Sequence, residues 1–522
     1  MKLFYKYFIF NKIKITTIYI HSKFIHSKFK IKFIHSFKIH SFTHSLIGTL
    51  MSQINITTPP SITQSANQIG GITVTTAPAM VSDTEHDDFE QDEYKDINAG
   101  VFFDGTLNNR TNVNARIEHE NGASGNKALA DLYIKGEGSF ENEHSNISRS
   151  EPAYDEFQRG KLIQFRLYIE GAGTEDGQSD SSMGMGMGTG FTGVPAKVKK
   201  ACKKVVDKIK QKGVKFIDTL TVDTFGFSRG AASSRHFIFE MYKRKGQVKA
   251  VYTNGTQAPP TIITYDTDYG ALGEALKANG IEIRSLVVRF TGLYDTVASF
   301  GVIHSNDTRE LGLDAVRYSV HVLQLAAADE HRANFRLTNI NSKGSLERFL
   351  PGVHSDIGGG YIDGADENVK LNKSGWLPTL EKDRDYLIEQ GWYKPHQITV
   401  DKFWGTLNAE RNGIKYHYSF IPLHIMVEYA VGKQVEFIMS KITNKYKING
   451  EVLTKTKTRL DNYISGNADK MSLDNPNDRE LLKQLRNEYF HFSAHFAKTA
   501  WVLTPHKPQF VNGERHRIIQ NG

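Results

Sequence analysis

The pentapeptide Gly226-Phe227-Ser228-Arg229-Gly230 sets one serine between two glycines, after a β-type run and ahead of a helix-type run. A serine hydroxyl is a weak nucleophile. It needs a tight strand-to-helix turn that exposes it, a neighbouring base, and donors for the developing oxyanion. Gly226 and Gly230 remove the Cβ atoms that would crowd such a turn, and Ala231 and Ala232 let the next helix lie close to a sheet. The helix N-terminus adds positive potential, and the N–H of Arg229 is placed as one oxyanion donor. A second donor is expected from the Asp104-Gly105-Thr106 turn in AGVFFDGTLNN, most easily the N–H of Gly105, although Asp-Gly is also an ordinary turn signal.

A base and an orienting acid should lie at later strand ends. Asp295, in RFTGLYDTVAS, follows an apolar run, and His354, in LERFLPGVHSDIGGGY, follows the next one and precedes a glycine-rich turn. The order Ser228, Asp295, His354 is that of α/β-hydrolases and differs from the orders of trypsin-like and subtilisin-like enzymes. His354 would take the Ser228 proton while Asp295 holds the imidazole tautomer. Asp356 is a competing acid.

The elements that must position these residues follow a strand, loop, helix pattern. Strands are predicted at AGVFFDG, KLIQFRLYIEGAG, TLTVDTFGF, IRSLVVRFTGLYD and LERFLPGVHSD. Helices are predicted at AKVKKACKKVVDKIKQKG, punctuated by Pro195 and Gly213, from Arg229 to about Lys245, and over LGLDAVRYSVHVLQLAAADEHR. Alternation over residues 96–365 indicates an α/β fold with a mainly parallel sheet flanked by helices, in which ligands sit at the carboxyl ends of strands. Residues 366–522, with Trp376, Trp392, Trp404 and the apolar FIPLHIMVEYAV, predict a mostly helical cap or subdomain. This region either meets a membrane or simply packs on the core.

Composition narrows the function classes. At 522 residues and 39% hydrophobic, the chain is the size of a soluble enzyme. Nine lysines and no arginine or acidic residue lie in residues 1–50, so the formal charge of +8 belongs to that extension and the rest is close to neutral. A nucleic-acid partner is therefore not expected. The extension, with its HSKFIHSKF and HSFKIHSF near-repeats, is broken by lysines too often for a signal peptide or a span of roughly 20 apolar residues. It reads as an upstream basic segment ahead of a working start at Met51. Residues 51–95, rich in Thr, Ser and Pro and then acidic, predict a disordered tail. A single cysteine, Cys202, excludes an intrachain disulfide or a cysteine zinc cluster. His491 and His495 lack a third ligand and read as structural, so no metal is expected. The run Gly188 to Gly193 matches G-x-G-x-x-G but has no strand before it, and no dinucleotide cofactor is expected.

FFDGTLNN, YIEGAGT, GFSRGAA, GLYDTVAS and PGVHSDIGGGY, in this order, closely resemble the α/β-hydrolase catalytic domain of the type VI secretion phospholipase effectors of the first class, formerly catalogued as a domain of unknown function. The resemblance is dense over residues 97–365 and thin beyond. It implies a Ser-Asp-His phospholipase or esterase built from Ser228, Asp295 and His354, used as an antibacterial toxin. It also implies synthesis in the bacterial cytoplasm without a signal peptide, a secretion spike or tube component as carrier, delivery to the periplasm of target cells, a phospholipid membrane as substrate, and a cognate immunity protein. The chain departs from the family by an insert at about residues 246–280, and no delivery module is recognisable in it. A serine esterase of small soluble esters and a non-catalytic hydrolase-fold interaction protein remain the alternatives. Acyl-chain preference and labelling of Ser228 by a fluorophosphonate separate them.

Overall fold

The structure is a computed structural model that describes residues 94–181, 192–243, 269–298, 310–342, 344–496 and 506–522, with a few short strand segments besides. The chain divides after Gly71, and the central sheet with its covering helices belongs to the unit Ile72–Gly522. The basic extension, nearly all of the 51–95 tail, the G-x-G-x-x-G loop up to Phe191 and part of the 246–280 insert lie outside the described residues.

Seven strands form the central sheet: β1 (Lys95–Phe103), β2 (Phe157–Arg159), β3 (Leu162–Ile169), β4 (Phe216–Phe227), β5 (Glu282–Tyr294), β6 (Ser319–Ala327) and β7 (Ser345–Leu350). Their order is β7-β6-β5-β4-β1-β3-β2. Every pairing is parallel except the edge hairpin β2-β3. A parallel sheet needs cover on both faces, and the side chains of β1 show how it is obtained. Ile97, Ala99, Val101 and Phe103 face one apolar cluster, and Phe102 faces the other.

The first cluster is closed by α1 (Val194–Gln211), α2 (Arg229–Tyr242) and α3 (Ala271–Ala278). In α1 the buried Val198, Cys202, Val205 and Ile209 recur at helical spacing. Pro195 sits in its first turn, and Gly213 follows its end at φ +70°. The second cluster is closed by residues beyond β7. These form the short α4 (His354–Gly358), then α5 (Leu377–Glu389), α6 (Phe420–Val431), α7 (Glu451–Ile464) and α8 (Pro476–Glu488). With them stands a three-stranded antiparallel sheet of β8 (Ala365–Asn372), β9 (Ile398–Asp401) and β10 (Thr406–Ile414), in order β8-β10-β9. Leu371, Leu387, Leu407, Ile421, Ile425 and Leu485 share one cluster with Phe102, Phe225, Phe290 and Leu325. The mostly helical C-terminal region thus covers one face of the central sheet. Its most apolar stretch, FIPLHIMVEYAV, is the buried α6.

Three local expectations are corrected. The helix expected over residues 311–332 is a 3₁₀ turn at Leu313–Tyr318 followed by β6. Val322 to Ala327, the polar Gln324 included, are all buried between β5 and β7, and a run hidden on both faces has no alternation by which to tell strand from helix. The strand expected over 346–356 ends at Leu350, so His354 opens α4 instead of ending a strand. Finally, α2 ends at Tyr242, short of the expected Lys245.

Candidate active site

Ser228 stands between β4 and α2 with φ +59° and ψ −123°, a conformation that non-glycine residues adopt only when their surroundings impose it. Here the surroundings are backbone. Ser228 N donates to Tyr294 O at 3.0 Å, and Ser228 O accepts from Ala231 N and Val297 N at 3.0 and 3.3 Å. A Cβ on Gly226 would lie 2.4 Å from Gly230 O, and one on Gly230 would lie 2.3 Å from both Phe103 O and Asp104 O. Both glycines of the elbow are therefore required by packing against main chain, which cannot swing aside.

The loop after β1 lies against this elbow. Arg229 Nε donates to Thr106 Oγ1 at 2.5 Å, and a Cβ on Gly105 would fall 2.5 Å from the Phe227 ring. Asp104 ties the loop down, since Oδ2 accepts from Tyr168 Oη at 2.6 Å and Oδ1 from Ser145 Oγ at 2.5 Å. Oδ1 also accepts from Gly105 N at 2.8 Å, so the expected second oxyanion donor is engaged with its neighbour's carboxylate in this structure.

Asp295 and His354 come together as their order in the chain suggested. Asp295 directly follows β5 at φ +46°, and its Oδ2 lies 2.6 Å from His354 Nδ1. This contact leaves Nε2 as the nitrogen that can act on another group. The imidazole packs on the ring of Phe227, the residue before Ser228, at 4.7 Å, and edge-on against Phe335 at 4.9 Å. Among the described residues the Ser228 hydroxyl has no hydrogen bond to the imidazole, and such bonds often tighten only with substrate. Asp356, the competing acid, is occupied elsewhere. It accepts from Val353 N at 2.9 Å and pairs with His491 Nδ1 at 3.1 Å.

Burial pushes the Asp295 carboxyl up, but the Arg517 guanidinium and the His354 hydrogen bond outweigh it and hold the group below the usual carboxylate value. Burial drives His354 down, and the hydrogen bond and charge of Asp295 only partly oppose it, so the imidazole titrates below its ordinary value. A neutral imidazole beside an ionised, immobilised carboxylate is the state a general base requires.

Three neighbours of this pair escaped the sequence reading. Arg517 grips Asp295 from residues near 520, and Glu330 accepts from His354 N at 3.2 Å. Arg332 closes on Glu330 at 2.9 Å and stacks over Phe335. Glu330 and Arg332 lay inside a misassigned helix, and Arg517 is 222 residues from its partner with no spacing to betray it. His491 and His495 lie on no helix. His491 stacks on Tyr361 at 3.7 Å and His495 on His506 at 4.5 Å, and the described residues contain no cluster able to hold a metal ion.

Residues 100–377, more than half of the chain, match the family model described as "T6SS, Phospholipase effector Tle1-like, catalytic domain". Among solved structures the chain is similar to one described as "Structure of the Tle1 effector bound to the VgrG spike from the Type 6 secretion system". The match has 20% identity and a TM-score of 0.55, and covers 85% of this chain and 99% of that one. It is also similar to an uncharacterized protein from Pseudomonas aeruginosa, at 19% identity and a TM-score of 0.38, covering 72% and 51%. No curated protein matches. At 20% identity the first of these likenesses speaks for the fold alone, which is that of an α/β-hydrolase. The family match goes further: the chain belongs to the Tle1-like phospholipase effectors of the type VI secretion system and is a hydrolase of that family.

Proposed function

We propose that the protein is a serine phospholipase of the A type, which cleaves acyl esters of membrane glycerophospholipids with Ser228, Asp295 and His354. Ser228 Oγ attacks the ester carbonyl carbon as its proton passes to His354 Nε2, and Asp295 stabilises the resulting imidazolium. The oxyanion is received at the start of α2 by Arg229 N–H. Gly105 N–H serves as second donor once it exchanges Asp104 Oδ1 for the substrate oxygen. Collapse expels the lysophospholipid oxygen, which takes the proton from His354, and water then releases the fatty acid by the same steps in reverse roles. The observation that carries this reading is the 2.6 Å contact of Asp295 with His354 beside the strained Ser228 elbow, in a chain of a phospholipase effector family.

Contact with the lipid surface is assigned to the C-terminal region. No helix among the described residues is long and apolar enough to cross a membrane. Trp376, Phe403 and Trp404 are instead 65%, 86% and 74% exposed, and Gly375 N bonds to Gly405 O at 3.2 Å, which brings their two turns together. Grouped exposed aromatics suit the boundary between lipid head groups and acyl chains. The similarity to an effector bound to the VgrG spike supports a spike component as carrier. Family membership supports an antibacterial toxin that acts in the target periplasm and is restrained by an immunity protein.

Fatty-acid release from phosphatidylethanolamine and phosphatidylglycerol liposomes, measured with the wild type and Ser228→Ala, tests the chemistry. Release that disappears in the variant is expected. Cleavage of short soluble esters without release from liposomes would make the protein an esterase. Export of the protein to the periplasm of a bacterial host should arrest growth, and the Ser228→Ala variant should not.

A further inference from the structure

Arg517 lies between Glu514–Arg515 and Ile519–Gln520 and reaches back to the end of β5. Its Nη1 donates to Asp295 Oδ1 at 2.7 Å and its Nη2 to Oδ2 at 2.8 Å, a two-point fork. From behind, the guanidinium is fixed by the carbonyls of Ala327 and Phe335. The backbone nearby is tied to the same place. Ile519 and Gln520 pair in parallel with Leu337 and Thr338, and Thr338 N in turn donates to Thr296 O at 2.9 Å, while its Oγ1 accepts from Ala298 N at 3.2 Å. Asp295 is thus held directly by a residue 222 positions away in sequence, and Thr296 and Ala298 are held by Thr338, whose strand pairs with the same distant segment.

We infer that Arg517 is a positioning residue for Asp295: it locks the plane of the carboxylate toward His354 and offsets its buried charge. The inference rests on the Ser-Asp-His reading above. A buried carboxylate facing only a neutral imidazole would be costly and free to rotate about its last torsion, whereas the fork and the bond from Ala327 N at 2.8 Å remove both problems. The guanidinium also tempers the pull of Asp295 on a proton held by His354. Among the described residues the charged groups Glu330 and Asp356 near the imidazole are already paired, with Arg332 and His491, and the rings of Phe227 and Phe335 pack against it. Arg517 is therefore the group whose removal changes the field of Asp295 most directly.

The test uses Arg517→Gln and Arg517→Lys in the full chain, with Ser228→Ala alongside, assayed on a short soluble ester across pH and checked by thermal unfolding. Arg517→Gln should lower kcat by about 100-fold through a misplaced acid, with little change in KM. It should also move the acid limb of kcat/KM to higher pH, because the unshared Asp295 charge holds the imidazolium more strongly. Arg517→Lys keeps the charge but not the fork, so the limb should return to its wild-type position with kcat only partly restored. A folded Arg517→Gln with wild-type kcat, or with reduced kcat and an unmoved limb, would overturn the inference. If the glutamine variant does not fold, a lysine variant with full kcat overturns it equally. Turnover that survives in Ser228→Ala would instead sink the triad itself. An inactive Ser228→Ala beside wild-type-like Arg517 variants would reject only the role of Arg517.

Discussion

The central parallel sheet and the smaller antiparallel sheet use their ends in opposite ways. At the carboxyl ends of β4, β5 and β7 lie Ser228, Asp295 and His354, all at most 4% exposed. Asp295 alone accepts from an imidazole, a guanidinium and a main-chain N–H. In the turn between β9 and β10, Phe403 and Trp404 meet edge to face at 5.0 Å and otherwise stand in solvent. One end fixes polar groups in a dry setting, where an aligned dipole or charge acts most strongly. The other leaves apolar rings without cover, which water disfavours and an apolar boundary would relieve. In the function proposed above, chemistry and surface engagement fall to separate sheets, so each should be breakable without the other.

The largest expected effect is at the nucleophile. Ser228→Ala should reduce turnover by about 10⁶-fold, as loss of a triad serine does elsewhere, while co-sedimentation with vesicles stays at the wild-type level. Binding lost together with turnover would break the separation. Gly230→Ala comes next. Its new Cβ meets two carbonyl oxygens at 2.3 Å, so the elbow must shift. A destabilisation of about 1–3 kcal/mol is expected in thermal or urea unfolding, with turnover falling by about 100-fold as Ser228 moves.

The converse experiment sharpens the other half. Replacing Trp376, Phe403 and Trp404 together by serine should weaken vesicle binding by about 100-fold, or ~2.7 kcal/mol, a modest share of what three rings gain on leaving water. Hydrolysis of a short soluble ester should be unchanged, since none of the three touches Ser228, Asp295 or His354. Equal loss on soluble esters would mean that the antiparallel sheet supports the site structurally, through the cluster that joins Leu371 and Leu407 to Phe225 and Phe227.

How much of this was legible in the sequence depends on the range of each interaction. The elbow is local at Gly226, which is needed against Gly230 and Ala231, so the GFSRG pattern carries that part of its own geometry, whereas Gly230 is needed against Phe103 and Asp104 at the end of β1. The elements β4, β5, α1 and α2 were likewise readable from period and punctuation. Where an apolar run is buried on both faces, as in β6, pattern fails because nothing alternates. Gly105 was legible as a turn glycine beside the elbow, but not the bond that ties its N–H to Asp104. Trp376, Trp392 and Trp404 look alike in sequence, yet Trp392 is buried under Phe492 while the other two are exposed. Arg517 and Glu330 were invisible because their roles exist only once distant segments meet.

The smallest expected effect is a displacement along the pH axis. A general base must be neutral to accept the Ser228 proton, so turnover falls as pH drops through the value at which His354 charges. Burial lowers that value below the ordinary imidazole range, with Asp295 opposing but not overcoming it, while Arg517 and the hydrogen bond keep Asp295 ionised further down still. The acid limb of kcat/KM on a soluble ester should therefore lie below about pH 6.5. The vesicle binding proposed for Trp376, Phe403 and Trp404 has no proton to exchange at the rings and should not follow that limb. An acid limb above pH 7 would mean that the charge of Asp295 prevails over burial at His354. Binding that fell in step with turnover would mean that the two sheets respond to one titration and are not independent.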